Sequence, residues 1–298
     1  KIKNGNAVIA VKNASGTVMW SWHLWFALSD AVNTVTCTNF QDHKYKFTQE
    51  TLGWKYTTWS GTTYSAPRKV RVKVEQTAGN GGVKQSAYIT ITQNPGGNAR
   101  QGYSTFYQFG RKDAFPGTDT TPDGSFTKNV GDNMSIQNGI RHPETFYTYG
   151  ASWYNVYNQY NLWSMDNTVT GYNDNAVVKT IYDPCPAGFH MPASNAFTGF
   201  TTNGQNGGTM NVSGAWDWGW NFNNKITSPD ATVYFPASGY RSLSDGSLDN
   251  VGSYGYCWSA VPYGTFSGCH LYFYSGFVYP LYYYFNRSYG FSVRPVAE

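Results

Sequence analysis

The side chains best able to attack, ligate or move protons are four cysteines, Cys37, Cys185, Cys257 and Cys269, and five histidines, His23, His43, His142, His190 and His270. A Ser or Cys nucleophile needs a base within hydrogen-bond reach and a turn that exposes it, and the chain contains no Gly-x-Ser-x-Gly elbow. Zinc chemistry needs closely spaced ligands. There is no His-Glu-x-x-His, no i, i+4 histidine pair and no Cys-x-x-Cys. Asp119-Thr-Thr-Pro-Asp-Gly opens like a calcium loop, but the twelfth position is Val130, where a bidentate Glu is required. Gly79-Asn-Gly-Gly is followed by no Lys-Ser or Lys-Thr, so a phosphate cradle is missing. A distant pair among the 17 carboxylates is left open for glycoside hydrolysis, because sequence does not show which acids meet. The expectation is a non-enzyme with no cofactor and no metal.

Composition points toward recognition. Charged residues make up 13% of the 298 positions, about half the usual share, whereas aromatics reach 18%, with 25 Tyr and 11 Trp. Such rings give large contact area at low entropic cost. The net charge of +4 has one clear cluster, Arg68, Lys69, Arg71 and Lys73, alternating with Val70, Val72 and Val74. That pattern is a strand with one basic face, so no nucleic-acid partner is expected. No apolar run approaches 18 residues and the first residues lack an apolar core, so direct membrane insertion is not expected and the chain reads as a processed product. The four scattered cysteines allow one optional disulfide and make no scaffold.

These side chains need elements to hold them. Ala7-Val-Ile-Ala-Val-Lys and Thr17-Val-Met-Trp-Ser-Trp-His-Leu-Trp-Phe read as two strands around Asn13-Ala-Ser-Gly, with Trp20, Trp22 and Leu24 on one face of the second and Ser21, His23 and Trp25 on the other. Lys69 to Glu75 and Ser86 to Gln93 alternate cleanly and predict a hairpin, placed as an insertion at 66–97. From 94 to 139 turn residues dominate around a short apolar segment, Phe106-Tyr-Gln-Phe. Short helices are expected at Pro143-Glu-Thr-Phe-Tyr and at Ala196-Phe-Thr-Gly-Phe, the latter capped by Ser194. Trp216-Asp-Trp-Gly-Trp fits a core strand better than a sugar platform. The expected class is α+β, β-rich with long loops and few short helices, as one domain over 1–298.

The C-terminal stretch stands apart. Between Val251 and Ala297 there is no Asp, Glu or Lys, and ten of the tyrosines lie between Tyr254 and Tyr289. Tyr, Ser, Gly, Phe and Asn without charge is the composition of an antibody paratope. Composition alone equally admits a tyrosine-rich sheet interior. Four consecutive aromatics, Tyr282-Tyr-Tyr-Phe, need a covering layer on both faces of a strand if none is to be exposed, and this favours a displayed set.

Asn6-Ala-Val-Ile-Ala-Val-Lys, Tyr107-Gln-Phe-Gly-Arg-Lys-Asp, Lys179-Thr-Ile-Tyr-Asp-Pro-Cys-Pro-Ala-Gly-Phe-His-Met-Pro, Tyr234-Phe-Pro-Ala-Ser-Gly-Tyr-Arg, Trp258-Ser-Ala and Gly290-Phe-Ser-Val-Arg-Pro-Val resemble, in order, the Fibrobacter succinogenes major paralogous domain of Bacteroidetes fimbrillin-family proteins. That resemblance implies a C-type-lectin-like fold and an adhesin at a pilus tip or cell surface, binding a host or bacterial surface protein or glycan. Other pilus subunits would be met through an N-terminal domain that precedes Lys1. The closing frame also resembles targets of diversity-generating retroelements, in which exposed positions vary between fixed ones. It implies a variable region at 251–298 with ligand-binding positions Tyr254, Tyr256, Cys257, Tyr263, Thr265, Phe266, His270, Tyr272, Tyr274, Tyr279, Tyr282, Tyr284 and Tyr289. The fixed frame would include Trp258, Leu271, Phe273, Val278, Arg287, Phe291 and Arg294. The Glu-Pro-Asn, Gln-Pro-Asp and Trp-Asn-Asp triplets of calcium-dependent lectins are absent. Two other readings follow from the same scaffold: an enzyme like the formylglycine-generating enzymes, using Cys257 and Cys269, or a structural pilus subunit needing a donor strand and an acceptor groove.

Overall fold

A computed structural model describes residues 5–56, 68–75, 81–93, 102–118, 126–129, 134–148, 162–165 and 171–298. The expected calcium-like segment at Asp119 lies outside them. The described chain is β-rich with no closed barrel. Its helical segments are one turn and a half of α-helix, Ile136–Arg141, and a 3-10 helix, Ser194–Phe200.

Two compact units form. The smaller contains Lys55–Gly102 with Lys1–Lys3. Its hairpin pairs Arg68–Glu75 with Ser86–Gln93 in unbroken antiparallel register, from Arg68 opposite Gln93 to Glu75 opposite Ser86. The Arg71 guanidinium lies 3.8 Å from the centre of the Tyr88 ring, a cation–π contact across the strands. The predicted hairpin is therefore present, within a unit of its own.

The larger unit, Asn4–Trp54 with Tyr103–Glu298, opens with strands β1, Gly5–Lys12, and β2, Val18–Phe26. They join where the Asn13 carboxamide oxygen accepts from the Ser15 and Thr17 amides at 3.1 and 2.9 Å and Gly16 takes φ +83°, which an L side chain rarely adopts. On β2 the odd-numbered face turns inward. Ser21 donates to Asp113 at 2.8 Å, the Tyr107 hydroxyl meets His23 Nδ1 at 2.6 Å, and the Trp25 indole donates to the Trp54 carbonyl at 3.0 Å. Trp22 faces solvent.

Three further strands are β3, Tyr254–Tyr263, β4, Ser267–Tyr274, and β5, Phe277–Tyr282, forming one antiparallel sheet in that order. Cys257, Leu271, Phe273 and Val278 enter a core with Phe47, Phe197, Phe200, Phe222 and Phe235. Tyr256 and Trp258 point the other way, into a second core with Tyr107, Phe109, Trp163 and Phe291. The sheet is thus a wall between two cores, which explains why it carries apolar side chains on both faces. Two glycines permit the close packing. A Cβ on Gly255 would stand 2.0 Å from the Phe273 ring, and one on Gly268 would stand 2.5 Å from Phe109.

Two helix expectations need correction. Pro143 starts no helix: the helix ends at Arg141, and Thr145–Tyr147 is a strand parallel to Thr127–Asn129. Its true start is marked by Ser135, whose hydroxyl accepts from the Asn138 amide at 3.0 Å. At the second site a helix forms, but Ser194 does not cap it; its hydroxyl accepts from the Asn173 amide at 2.8 Å and donates to carbonyls at Gly171 and Asn173. Of the tryptophan run, Trp216 and Trp220 pack at the first core, whereas Trp218 is exposed with φ +54°.

Candidate recognition surface

Alternation puts Tyr254 and Tyr256 of β3, His270, Tyr272 and Tyr274 of β4, and Phe277 and Tyr279 of β5 on one face, with Tyr254 opposite Tyr274, Tyr256 opposite Tyr272, and Tyr272 opposite Tyr279. The rings form a continuous layer. Tyr272 stacks on Tyr256 at 4.9 Å and on Tyr254 at 5.8 Å, and Phe277 stacks on Tyr279 at 4.3 Å. Tyr279 continues to Tyr282 at 5.5 Å, and Tyr282 meets Tyr284 edge-on at 5.4 Å. Offset and edge-to-face contacts of this kind favour a preformed surface over mobile rings.

Burial runs as a gradient along this layer. Trp258, His270 and Tyr256 are enclosed; Tyr254, Tyr272, Tyr274, Tyr279 and Tyr282 are half-buried; Tyr284 is 67% exposed. Three expected display positions are therefore corrected. Tyr256 is 3% exposed because Tyr240, Phe285 and Phe291 cover its ring. Cys257 points into the opposite core. His270 is 1% exposed between Trp258, Tyr282, Phe285 and Phe291. Tyr289, half-buried, packs on Phe285 and Tyr240 at the rim of the second core.

A second aromatic group stands at the far end of the sheet. Tyr263 and Tyr283 stack at 3.9 Å, with Tyr172 at 5.9 and 6.0 Å from them, and Tyr283 lies 4.3 Å from Tyr284, donating to its hydroxyl at 3.0 Å. Tyr172 is fixed by donating to the Leu281 carbonyl at 2.7 Å. Neither Tyr172 nor Tyr283 belongs to the expected set. Tyr283 was legible within the Tyr282-Tyr-Tyr-Phe run, whereas nothing near Tyr172 in the chain marks it.

Thr265 and Phe266 are exposed at the β3–β4 turn, where Gly264 takes φ +58°. Arg287 holds that turn. Its fully buried guanidinium donates to the Gly264 carbonyl at 2.9 Å and the Ser267 carbonyl at 3.0 Å and lies over Phe109. The free edge of β5 is closed by the Asn206 carboxamide, which accepts from the Leu281 amide and donates to its carbonyl, and by the Gly207 amide on the Val278 carbonyl at 3.0 Å. Strand edge and turn are both pinned, so the tyrosines sit on rigid supports.

The layer carries no charge near neutral pH. Burial lowers His270 to about 3; its Nδ1 donates to the Gly268 carbonyl at 2.9 Å, leaving Nε2 unpartnered. Burial, then neighbouring Tyr254, pushes Tyr272 up to about 12, and burial does the same for Tyr289. All four cysteines are free and buried. Burial pushes the Cys257 thiol up to about 12 and raises that of Cys269, the reverse of an activated nucleophile. Among the described residues no three His, Cys, Asp or Glu side chains cluster as metal ligands.

The family described as Domain of unknown function (DUF8237) matches residues 217–296. That span contains β3, β4, β5 and the Arg287 clamp. No curated protein and no solved structure matches the chain.

Proposed function

We propose that this chain is an extracellular ligand-binding module of C-type-lectin-like fold, a pilus-tip or cell-surface adhesin that grips a protein or glycan through the tyrosine layer of β3–β5 and the Tyr263–Tyr283 group. The observation that carries the reading is an uncharged layer of half-exposed rings whose lower members are locked in a core. Rigid amphipathic anchors over a fixed frame are the arrangement that yields aromatic hot spots. Restricting variation to the half-exposed positions would leave both cores intact, which supports a diversified region. The raised, buried thiols support a binding role over thiol catalysis.

An array of glycans and of host and bacterial surface proteins, probed with the chain, tests this. A bound ligand is expected to be displaced by pre-treatment that nitrates exposed tyrosines. Ligands retained after nitration of Tyr284 and its half-exposed neighbours would overturn it.

A further inference from the structure

The backbone at Trp218 takes a conformation that its side chain resists. The residue sits in the left-handed region at φ +54°, where Gly or Asn is accommodated at lower cost, yet its ring gains little burial in return, since the residue is 63% exposed. The strained turn is held from both sides. The Ala237 amide donates to the Trp218 carbonyl at 2.8 Å, the Tyr234 hydroxyl donates to the Asp217 carbonyl at 2.8 Å, and Gly219 at once begins a strand, Gly219–Asn223, paired with Thr232–Pro236. Trp216 and Trp220 turn toward the first core and meet edge-on at 5.4 Å, so the rigid backbone between them aims the middle ring outward. Strain kept where packing does not require it is a mark of function.

The ring is also fixed in place. Gly252, at φ +80°, abuts its six-membered portion: a Cβ there would stand 2.5 and 2.7 Å from two adjacent ring carbons. One edge of the indole is thus seated on Gly252 while most of the ring stays in solvent. Asp217 is exposed beside it, and Asn250 and Ser253 are exposed on the turn that carries Gly252. Residues 213–224 and 247–254 contribute Asp217 and Asp249 and no Lys or Arg. An open indole with a carboxylate, a carboxamide and a hydroxyl near it suits a pyranose, whose CH groups cover the apolar ring and whose hydroxyls donate to the carboxylate. The negative balance disfavours sugars that carry a carboxylate of their own. A quaternary ammonium is enclosed by several rings, whereas Trp218 offers one open platform.

We propose that Trp218 is a stacking platform for a neutral hexopyranose residue, with Asp217 and Asn250 as partners for its hydroxyls. The CH face of the sugar lies on the indole, and the seated edge and pinned backbone hold the platform in its binding orientation before the sugar arrives. None of the tyrosines of β3–β5 takes part, so the site stands apart from the tyrosine layer and does not depend on it.

The test is an NMR titration of the intact, isotope-labelled chain with methyl β-galactoside, methyl α-glucoside, N-acetylneuraminic acid and choline, following the Trp218 indole N–H signal, which is assigned by its loss in Trp218→Asn. A neutral glycoside is expected to shift that signal at millimolar concentration, with N-acetylneuraminic acid at least tenfold weaker. Asp217→Asn should weaken the glycoside at least threefold, and Tyr284→Ser should leave it unchanged. Trp218→Asn, whose side chain suits left-handed backbone, should abolish saturation transfer to the glycoside without lowering the melting temperature. No shift with either glycoside, a stronger shift with choline, or loss of the effect in Tyr284→Ser would overturn the proposal. So would a lowered melting temperature for Trp218→Asn, since the ring would then be a prop of the fold.

Discussion

Tyr263 and Tyr283 stack with ring centroids 3.9 Å apart, although twenty positions separate them and only Tyr263 belongs to the expected ligand-binding set. The contact ties the end of β3 to the segment after β5 and sets Tyr284 outward. The two neighbours therefore have different jobs. Tyr283→Ala should cost about 0.5–1.5 kcal/mol for the lost ring pair, in addition to any effect on binding. Tyr284→Ala should leave stability within about 0.5 kcal/mol and act on binding alone. Urea melts of the two variants check the contrast.

Arg287 should prove essential to the turn that presents Thr265 and Phe266. Burial lowers its guanidinium to about 10, so it stays charged at neutral pH, and Arg287→Lys keeps a charge but loses the fork that reaches both Gly264 and Ser267 carbonyls. A loss of about 1.5–3 kcal/mol is expected, with new proteolytic cleavage at 264–266. Thermal melts and limited proteolysis report both.

Acid should weaken the fold through two histidines, His270, which is buried, and His23, which is half-buried. His270 is lowered to about 3 and His23 to about 4, below the ordinary 6.5, so the unfolded chain binds protons that the folded chain refuses. This contribution is complete above pH 6.5 and is lost as pH falls toward 3, at about 1.4 kcal/mol per pH unit for each group within that window. His270→Leu should flatten the slope by about 1 kcal/mol per unit between pH 6 and 4.5. Urea melts across that range decide it.

Much of the fold was legible because local chemistry and global packing agree. The two hairpins announce themselves through Asn13-Ala-Ser-Gly and through period-two alternation, and both form as antiparallel pairs. The tyrosine stretch was visible from composition. Which tyrosines it hides was not, because Tyr254 and Tyr256 share a face and a residue type, and their depth is set by Tyr240, Phe285 and Phe291 arriving from elsewhere. His270 and Cys257 misled for the same reason. Their burial depends on layers above and below the sheet, which spacing along one strand does not encode. The Pro143 helix failed because Ser135 had already started one upstream.

If the region is diversified, variation among sequences from related isolates should follow exposure. Tyr263, Thr265, Phe266, Tyr274, Tyr279 and Tyr284 should vary freely, whereas Tyr256, Cys257 and His270 should stay fixed or change only to residues of similar size. Deep sequencing of the 251–298 coding region measures this, and equal variation at buried and exposed positions would count against a surface-directed process.

The most direct measurement pairs binding with stability. The chain, a Tyr274→Ser, Tyr279→Ser, Tyr284→Ser variant, and a Met19→Ser, Trp22→Ser control on exposed β2 positions are compared on the same glycan and protein arrays at matched folded fraction. Aromatic anchors of about 2 kcal/mol each predict at least a thirtyfold loss of affinity for the tyrosine variant and none for the control. Equal binding by all three proteins would contradict the assignment of the tyrosine layer as the recognition surface.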